Sequence, residues 1–245
     1  MNRKLAHVIG AAFVMALLAA VFSMGASAQT LDDVMYLNED GVEQTTTATV
    51  VTPDLTEWTD GWYVINNNVT IDGSVSVTGN ACLILGDQTY SEMNGIIVPE
   101  GAALTVYSQS KQDWTRGCLR TNIEGAGGDL NKGNVSIYGG QVCGEIRTDK
   151  LIVKNSGIDL CSIDDGIPLS IYANSVTVVS GNIGGRDSAI CADTINISQN
   201  SIINVDVHPG FAENPTIITI LDSSISGEVR GMGEESIITI ENSTV

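Results

Sequence analysis

Two adjacent carboxylates, Asp164 and Asp165, come closest in this sequence to a hydrolytic pair. Glycoside hydrolysis needs one carboxyl group kept protonated as the acid and a second across the scissile bond, at a defined separation. The surrounding Cys161-Ser162-Ile163-Asp164-Asp165-Gly166 also has the composition of a solvated turn, and that reading is preferred. Elimination chemistry would instead need a base beside a substrate carboxylate, with calcium to acidify the proton. Arg120, Arg147 and Arg186 are candidate bases whose relative positions the sequence leaves open. His208 stands alone in Asp206-Val207-His208-Pro209-Gly210, where a turn residue is expected. The chain has two His residues and no C-x-x-C spacing, so no metal centre and no cofactor are predicted. Calcium is compatible with the acidic chain, although no D-x-D-x-D loop gathers its carboxylates.

A second chemistry is sugar stacking. Tyr107 and Tyr138 each directly follow a core position of a strand, and Tyr172 does so in an alternate phase. Facing outward on one sheet, they would form an aromatic ladder against which a sugar ring can pack its apolar face. Tyr107, Tyr138, Tyr172 and Trp114 are therefore the candidate ligand-binding residues, and Trp58 and Trp62 would extend the ladder. The competing reading makes the tyrosines ordinary strand residues, with Trp62 and Tyr63 covering the first coil.

The elements that must position these residues come from a repeat. The pattern is apolar-x-apolar, two residues, a small or polar residue, one residue, then apolar. It occurs at Val135-Ile137-Gly140-Val142, Leu151-Val153-Ser156-Ile158, Val176-Val178-Gly181-Ile183 and Ile195-Ile197-Asn200-Ile202. Two further copies are Ile218-Ile220-Ser223-Ile225 and Ile238-Ile240-Ser243-Val245. Leu169-Ile171-Asn174-Val176 also fits, overlapping the third copy. The mean step from Ile137 to Ile240 is about 21 residues, in the range of solenoid repeats. Apolar-x-apolar places both side chains on one face of a strand, and the small residue permits a bend. Stacking such units pairs each strand with its copy one coil later. Upstream, Trp62-Ile65, Val69-Ile71, Val75-Val77, Cys82-Leu85, Ile96-Val98 and Leu104-Val106 read as strands punctuated by Asn, Asp and Gly.

The remaining parts follow from composition. Met1-Asn2-Arg3-Lys4, the apolar run from Val8 to Phe22 and Met24-Gly25-Ala26-Ser27-Ala28 read as a secretory signal over residues 1–28. Residues 29–60, with Asn38-Glu39-Asp40-Gly41 as a turn, read as a β-hairpin capping the first coil, and residues 61–245 as the β-helix. The formal charge of −18 disfavours nucleic acid and anionic membranes, and no second span predicts membrane insertion. Five cysteines follow the signal, and those among apolar neighbours read as small core fillers. Val245 falls on an inward position of the sixth copy. This predicts an open coil that self-associates or continues into further chain.

Gly61-Trp62-Tyr63-Val64, Cys82-Leu83-Ile84-Leu85, Asn94-Gly95-Ile96-Ile97-Val98 and Leu104-Thr105-Val106-Tyr107-Ser108-Gln109 occur in that order at close spacing. This stretch resembles the Gly-rich exported right-handed parallel β-helix proteins, pectin-lyase-like in shape, of gut Firmicutes. The resemblance implies a surface or carbohydrate-binding role. Repeated Ile-Gly-Gly turns belong to that family, and here Ile183-Gly184-Gly185 is one. Asp164-Asp165 is also similar to the paired aspartates of polygalacturonase-like enzymes, but their Asn-Thr-Asp, Gly-His-Gly and Arg-Ile-Lys segments are absent.

The expectation is an all-β chain, a single-stranded right-handed parallel β-helix of roughly nine coils with a hairpin cap. It would be secreted or surface-bound and would bind a polysaccharide or surface glycan without catalysis. A polysaccharide lyase or hydrolase, and a structural module of a larger surface assembly, are the alternatives.

Overall fold

Alternation decides where every strand faces. In each repeat copy the apolar pair turns inward, and Leu151, Val153, Val176, Val178, Ile195 and Ile197 are all at most 1% exposed. A computed structural model of the protein describes residues 28–111, 116–126, 133–160, 169–209, 215–231 and 233–245. Residues Leu31–Val245 form one unit, all-β, with no α-helix among the described residues. The predicted signal segment lies outside the described residues, apart from Ala28.

The chain winds as a parallel β-solenoid with three sheets. Sheet I stacks Gly61–Ile65, Asn80–Leu85, Ala103–Ser108, Asn134–Ile137 and the ends of Ile146–Lys154, Ile171–Val179 and Asn182–Ser198, then Ile217–Leu221 and Ile237–Glu241. Sheet II runs through Val69–Ile71, Tyr90–Glu92, Cys118–Arg120, Gln141–Cys143, Gly157–Asp159, Asn182–Gly184 and Ile202–Asn204 to Ser224–Ile225. Sheet III is built by Glu57–Trp58, Ser74–Ser76, Ile123–Glu124, Ile146–Thr148, Ile171–Ala173 and Ala189–Cys191, among others. About seven turns carry strands in all three sheets, fewer than the nine expected, because the coils at both ends are incomplete.

Each repeat copy is thus one strand of sheet I, a corner, and one strand of sheet II. The overlapping match at Leu169-Ile171-Asn174-Val176 is a different corner, from sheet III into sheet I. Uneven steps come from the other corners: the 16 residues from Ile137 to Val153 turn tightly at Gly144-Glu145. The longer step from Val153 to Val178 carries the chain between Asp159 and Ile171. One copy slips. Ile203, not Ile202, is inward in the fourth copy, since Ile203 is 0% exposed and Ile202 is 47% exposed. Gln199 and Asn200 both take left-handed φ there (58° and 59°), which absorbs the extra residue.

In four copies the bend also sits one residue earlier than the motif implies, with left-handed φ on Asn155, Ser180, Asp222 and Asn242, while Gly140 and Asn200 keep it at the motif position. Ser156, Ser201 and Ser223, each following a left-handed residue, are buried. Their hydroxyls satisfy corner backbone: Ser156 Oγ donates to Ile137 O (2.9 Å), and Ser201 Oγ to Ser198 O (2.6 Å). Where a hydroxyl does not find a partner, stability is lost. Ser91 interrupts an otherwise apolar sheet II column between Val69 and Leu119, is 0% exposed, and its Oγ has no hydrogen-bond partner. Ser91→Ala should therefore raise stability by about 1 kcal/mol, read as a higher urea midpoint at unchanged slope.

The N-terminal hairpin consists of β1 (Thr30–Leu37) and β2 (Glu43–Val50). Its turn is closed by Asn38, whose Oδ1 accepts from Asp40 N (3.0 Å) and Val42 N (2.9 Å), and by Gly41 at φ 70°. β2 joins the solenoid through Thr49↔Tyr63 and Val50↔Val64. β1 lies against the outer face of sheet I, where Val34 packs with Ala48, Val50, Val64 and Ile84. The hairpin expected over the first coil therefore also clads the flank.

Candidate functional site

The flank and the hairpin tip together make a groove. Sheet I's outer row carries Val64, Ile84, Tyr107, Tyr138 and Lys154 one above the next. Tyr36 of β1 covers the first part of it, with ring centroids 4.6 Å from Trp62 and 5.1 Å from Tyr107. Trp62 stacks on Tyr107 at 5.3 Å, and Tyr107 meets Tyr138 at 5.6 Å. At the tip, Asp40 pairs with Lys154 (3.0 Å) and Glu39 O accepts from Asn155 Nδ2 (3.5 Å). This ion pair is exposed and contributes under about 1 kcal/mol; the aromatic and aliphatic packing holds the hairpin down.

Beyond the tip, a groove of about 990 Å³ runs over the sheet I–sheet II corner. Its walls are Leu37, Asp40 and Gly41 on the hairpin side, Lys111 and Arg116, and the Gly185-Arg186 corner. Its floor is the outer face of sheet II, where the outward positions Gln141, Gly157, Asp159, Asn182, Gly184 and Asn204 are polar or lack a side chain and Ile202 is the apolar exception. Amides offer donors and acceptors together, and the glycines keep the floor low. From Ser108 to Asn204 the groove crosses five coils, roughly 19 Å at the strand spacing.

The aromatic candidates divide. Tyr107 and Tyr138 are adjacent on sheet I, but Tyr107 is sandwiched under the hairpin and only Tyr138 lines the groove. Tyr172 faces out from sheet III, where the Arg147 guanidinium lies 4.6 Å from its ring centroid, so it is not part of one ladder with the other two. Trp114, Asp164 and Asp165 lie outside the described residues, although Lys111 and Arg116, which bracket Trp114 in sequence, both line the groove. Trp58 is fully buried, its ring 5.3 Å from that of Tyr63.

The basic candidates are also apart. Arg120 sits on sheet II 3.9 Å from Glu92, and Arg147 pairs with Glu145 on sheet III. Arg186 is exposed beside Asp187 (3.7 Å) and alone of the three lines the groove. His208 ends the strand Ile202–His208 rather than occupying a turn, its Nε2 3.8 Å from Asp206 Oδ2. Among the described residues no three His, Cys, Asp or Glu side chains converge as a metal site. The cysteines differ from expectation as well. Cys82, Cys118, Cys143 and Cys191 alternate against the inward Leu83, Leu119, Val142 and Ile190, so their side chains point to outer faces; Cys143 is nonetheless buried there, and the other three are part-exposed.

Burial pushes the Tyr107 hydroxyl well above its ordinary value of 10, reinforced by the charges that Cys82, Tyr138, Tyr36 and Glu39 would carry. A folded pKa above the unfolded one means this stability is whole below pH 10 and falls as pH rises beyond it. In an alkaline titration followed by tyrosinate absorbance, one tyrosine should ionise only with unfolding. Tyr107→Phe should remove that late step.

What the sequence reading missed is the groove floor. The signal was present: the residues flanking the last apolar position of the first three copies are Gln141, Cys143, Gly157, Asp159, Asn182 and Gly184, with no bulky apolar side chain among them. The chain matches no protein-family model, no curated protein and no solved structure.

Proposed function

We propose that this protein is a secreted or surface-exposed, non-catalytic glycan-binding β-solenoid, and that the groove between the hairpin tip and sheet II is where the glycan lies. The observation that carries the reading is the groove floor itself. Along an open channel, Gln141, Gly157, Asn182 and Ile202 follow one another coil by coil in one column, and Asp159, Gly184 and Asn204 in the next. An amide or carboxylate thus returns every second coil, with Ile202 and the Tyr138 ring as apolar surfaces beside them. A linear polysaccharide presents hydroxyls at regular intervals and apolar ring faces, which suit recurring amides and an aromatic edge. The kinship with exported Gly-rich β-helix proteins suggested by about residues 60–145 points the same way.

A glycan array with polysaccharide pull-down, run beside an assay for unsaturated uronates, tests the proposal. Binding without product is expected. Product formation would replace it with a lyase, and failure to bind any glycan would remove the glycan-binding reading altogether.

A further inference from the structure

Cys118 and Cys143 occupy neighbouring coils on the outer face of sheet II, Cys118 beside Gln141 and Cys143 beside Arg120 in register. Their Sγ atoms are 3.5 Å apart. Cys82 faces out from sheet I and Cys191 from sheet III, so neither can reach this pair while the coils remain stacked. Two thiols on adjacent rungs, already in sulfur–sulfur contact but two residues out of register, can reach the separation of a disulfide once the backbone at the Cys143-Gly144 corner shifts toward Cys118.

We propose that Cys118 and Cys143 are a disulfide site, an inter-coil staple that closes with a local shift of the sheet II–sheet III corner in the presence of a disulfide donor and opens with a thiol reductant. The thiolate of Cys118, the less buried of the two, attacks one sulfur of a donor disulfide such as oxidised glutathione. The donor S–S bond breaks, one donor thiolate leaves, and Cys118 carries the other half as a mixed disulfide. The Cys143 thiolate then attacks Cys118 Sγ and expels the second donor thiolate. The protein has lost two electrons and two protons, and the donor has gained them as two thiols. Contact with Cys143 lowers the Cys118 pKa and Arg120 adds to this, while burial and Asp159 oppose it.

The consequence is local. Cys118 is where the chain re-enters sheet II after Ser108, and that connection holds Lys111 and Arg116, one wall of the groove. Closing the staple would pin that wall to the next coil. This holds whatever the groove binds.

The test uses the full chain and its Cys161→Ser form, which removes the cysteine that lies outside the described residues. Each is incubated with oxidised glutathione, blocked with an alkylating agent under denaturing conditions, digested and analysed by mass spectrometry. The expected result is a cross-linked peptide joining Cys118 and Cys143, two hydrogens lighter than its parts and released by dithiothreitol. Oxidation should raise the melting midpoint by roughly 5–10 °C in both forms and leave Cys118→Ser unshifted. The proposal is overturned if both cysteines are recovered alkylated, if each carries its own glutathione, or if Cys143 is joined to another cysteine.

Discussion

Gly144→Ala should lower stability by about 4 kcal/mol, among the largest effects of any single methyl group added to this chain. Gly144 has φ 150°, a conformation that L side chains avoid, and a Cβ built there would lie 1.9 Å from Thr121 O and 2.6 Å from its carbonyl carbon. Those atoms belong to the backbone of the preceding coil, which cannot retreat without breaking the Thr121 N–H bond to Cys143 O (2.9 Å). The site is one member of a column at the corner between sheets II and III. The register stacks Thr121, Gly144, Leu160, Gly185, Val205 and Gly227 in consecutive coils. Bulky and glycine positions alternate. Thr121, Leu160 and Val205 are buried, and each glycine leaves the room they fill.

The same clash recurs along that column, with Gly185 Cβ 2.7 Å from Leu160 Cβ and Gly227 Cβ 2.1 Å from Val205 O. Thermal melts of Gly144→Ala should therefore fall by about 8–16 °C, and Gly227→Ala should behave alike. Gly157→Ala is the control: its Cβ would meet only Asn182 O, at 3.8 Å, so no loss is expected. If Gly144→Ala melts with the parent protein, the corner does not have the tight stacking described.

Gly184→Trp should abolish glycan capture while leaving the fold intact. Gly184 faces out from sheet II on the groove floor, and no heavy atom lies within 4 Å of its Cβ. An indole there fills the channel between the hairpin wall and the Gly185-Arg186 corner, and an aromatic side chain suits a strand. Affinity for whichever glycan the array identifies should drop at least about 100-fold, about 2.8 kcal/mol, with the melting midpoint within a few degrees of the parent. Undiminished binding would place the ligand elsewhere on the molecule.

The contrast between these two glycines shows how far a linear reading goes. Ile183-Gly184-Gly185 is one short word in the sequence, and nothing local tells its two glycines apart. Only stacking does. Gly184 points to solvent over Asn204, while Gly185 sits against Leu160 of the coil before it.

What the sequence determined by itself is the architecture. Period-two alternation with a small residue at a regular offset is a local property of each coil, so all six copies from Val135 onward could be read as strand, corner and strand. The one slip, Ile202 for Ile203, occurred where an inserted corner residue broke that offset without changing its composition. The tertiary structure alone decided which outward residues share a surface. Tyr107, Tyr138 and Tyr172 look equivalent in strand context, yet Tyr172 lies on another sheet and Tyr107 is under the hairpin. Corner lengths between coils set the register, and register sets neighbours. The groove floor and the Cys118–Cys143 contact therefore appear only once residues 16 to 25 apart are stacked. The aspartates that first suggested chemistry, Asp164 and Asp165, lie outside the described residues, and the candidate site is built from amides and glycines instead.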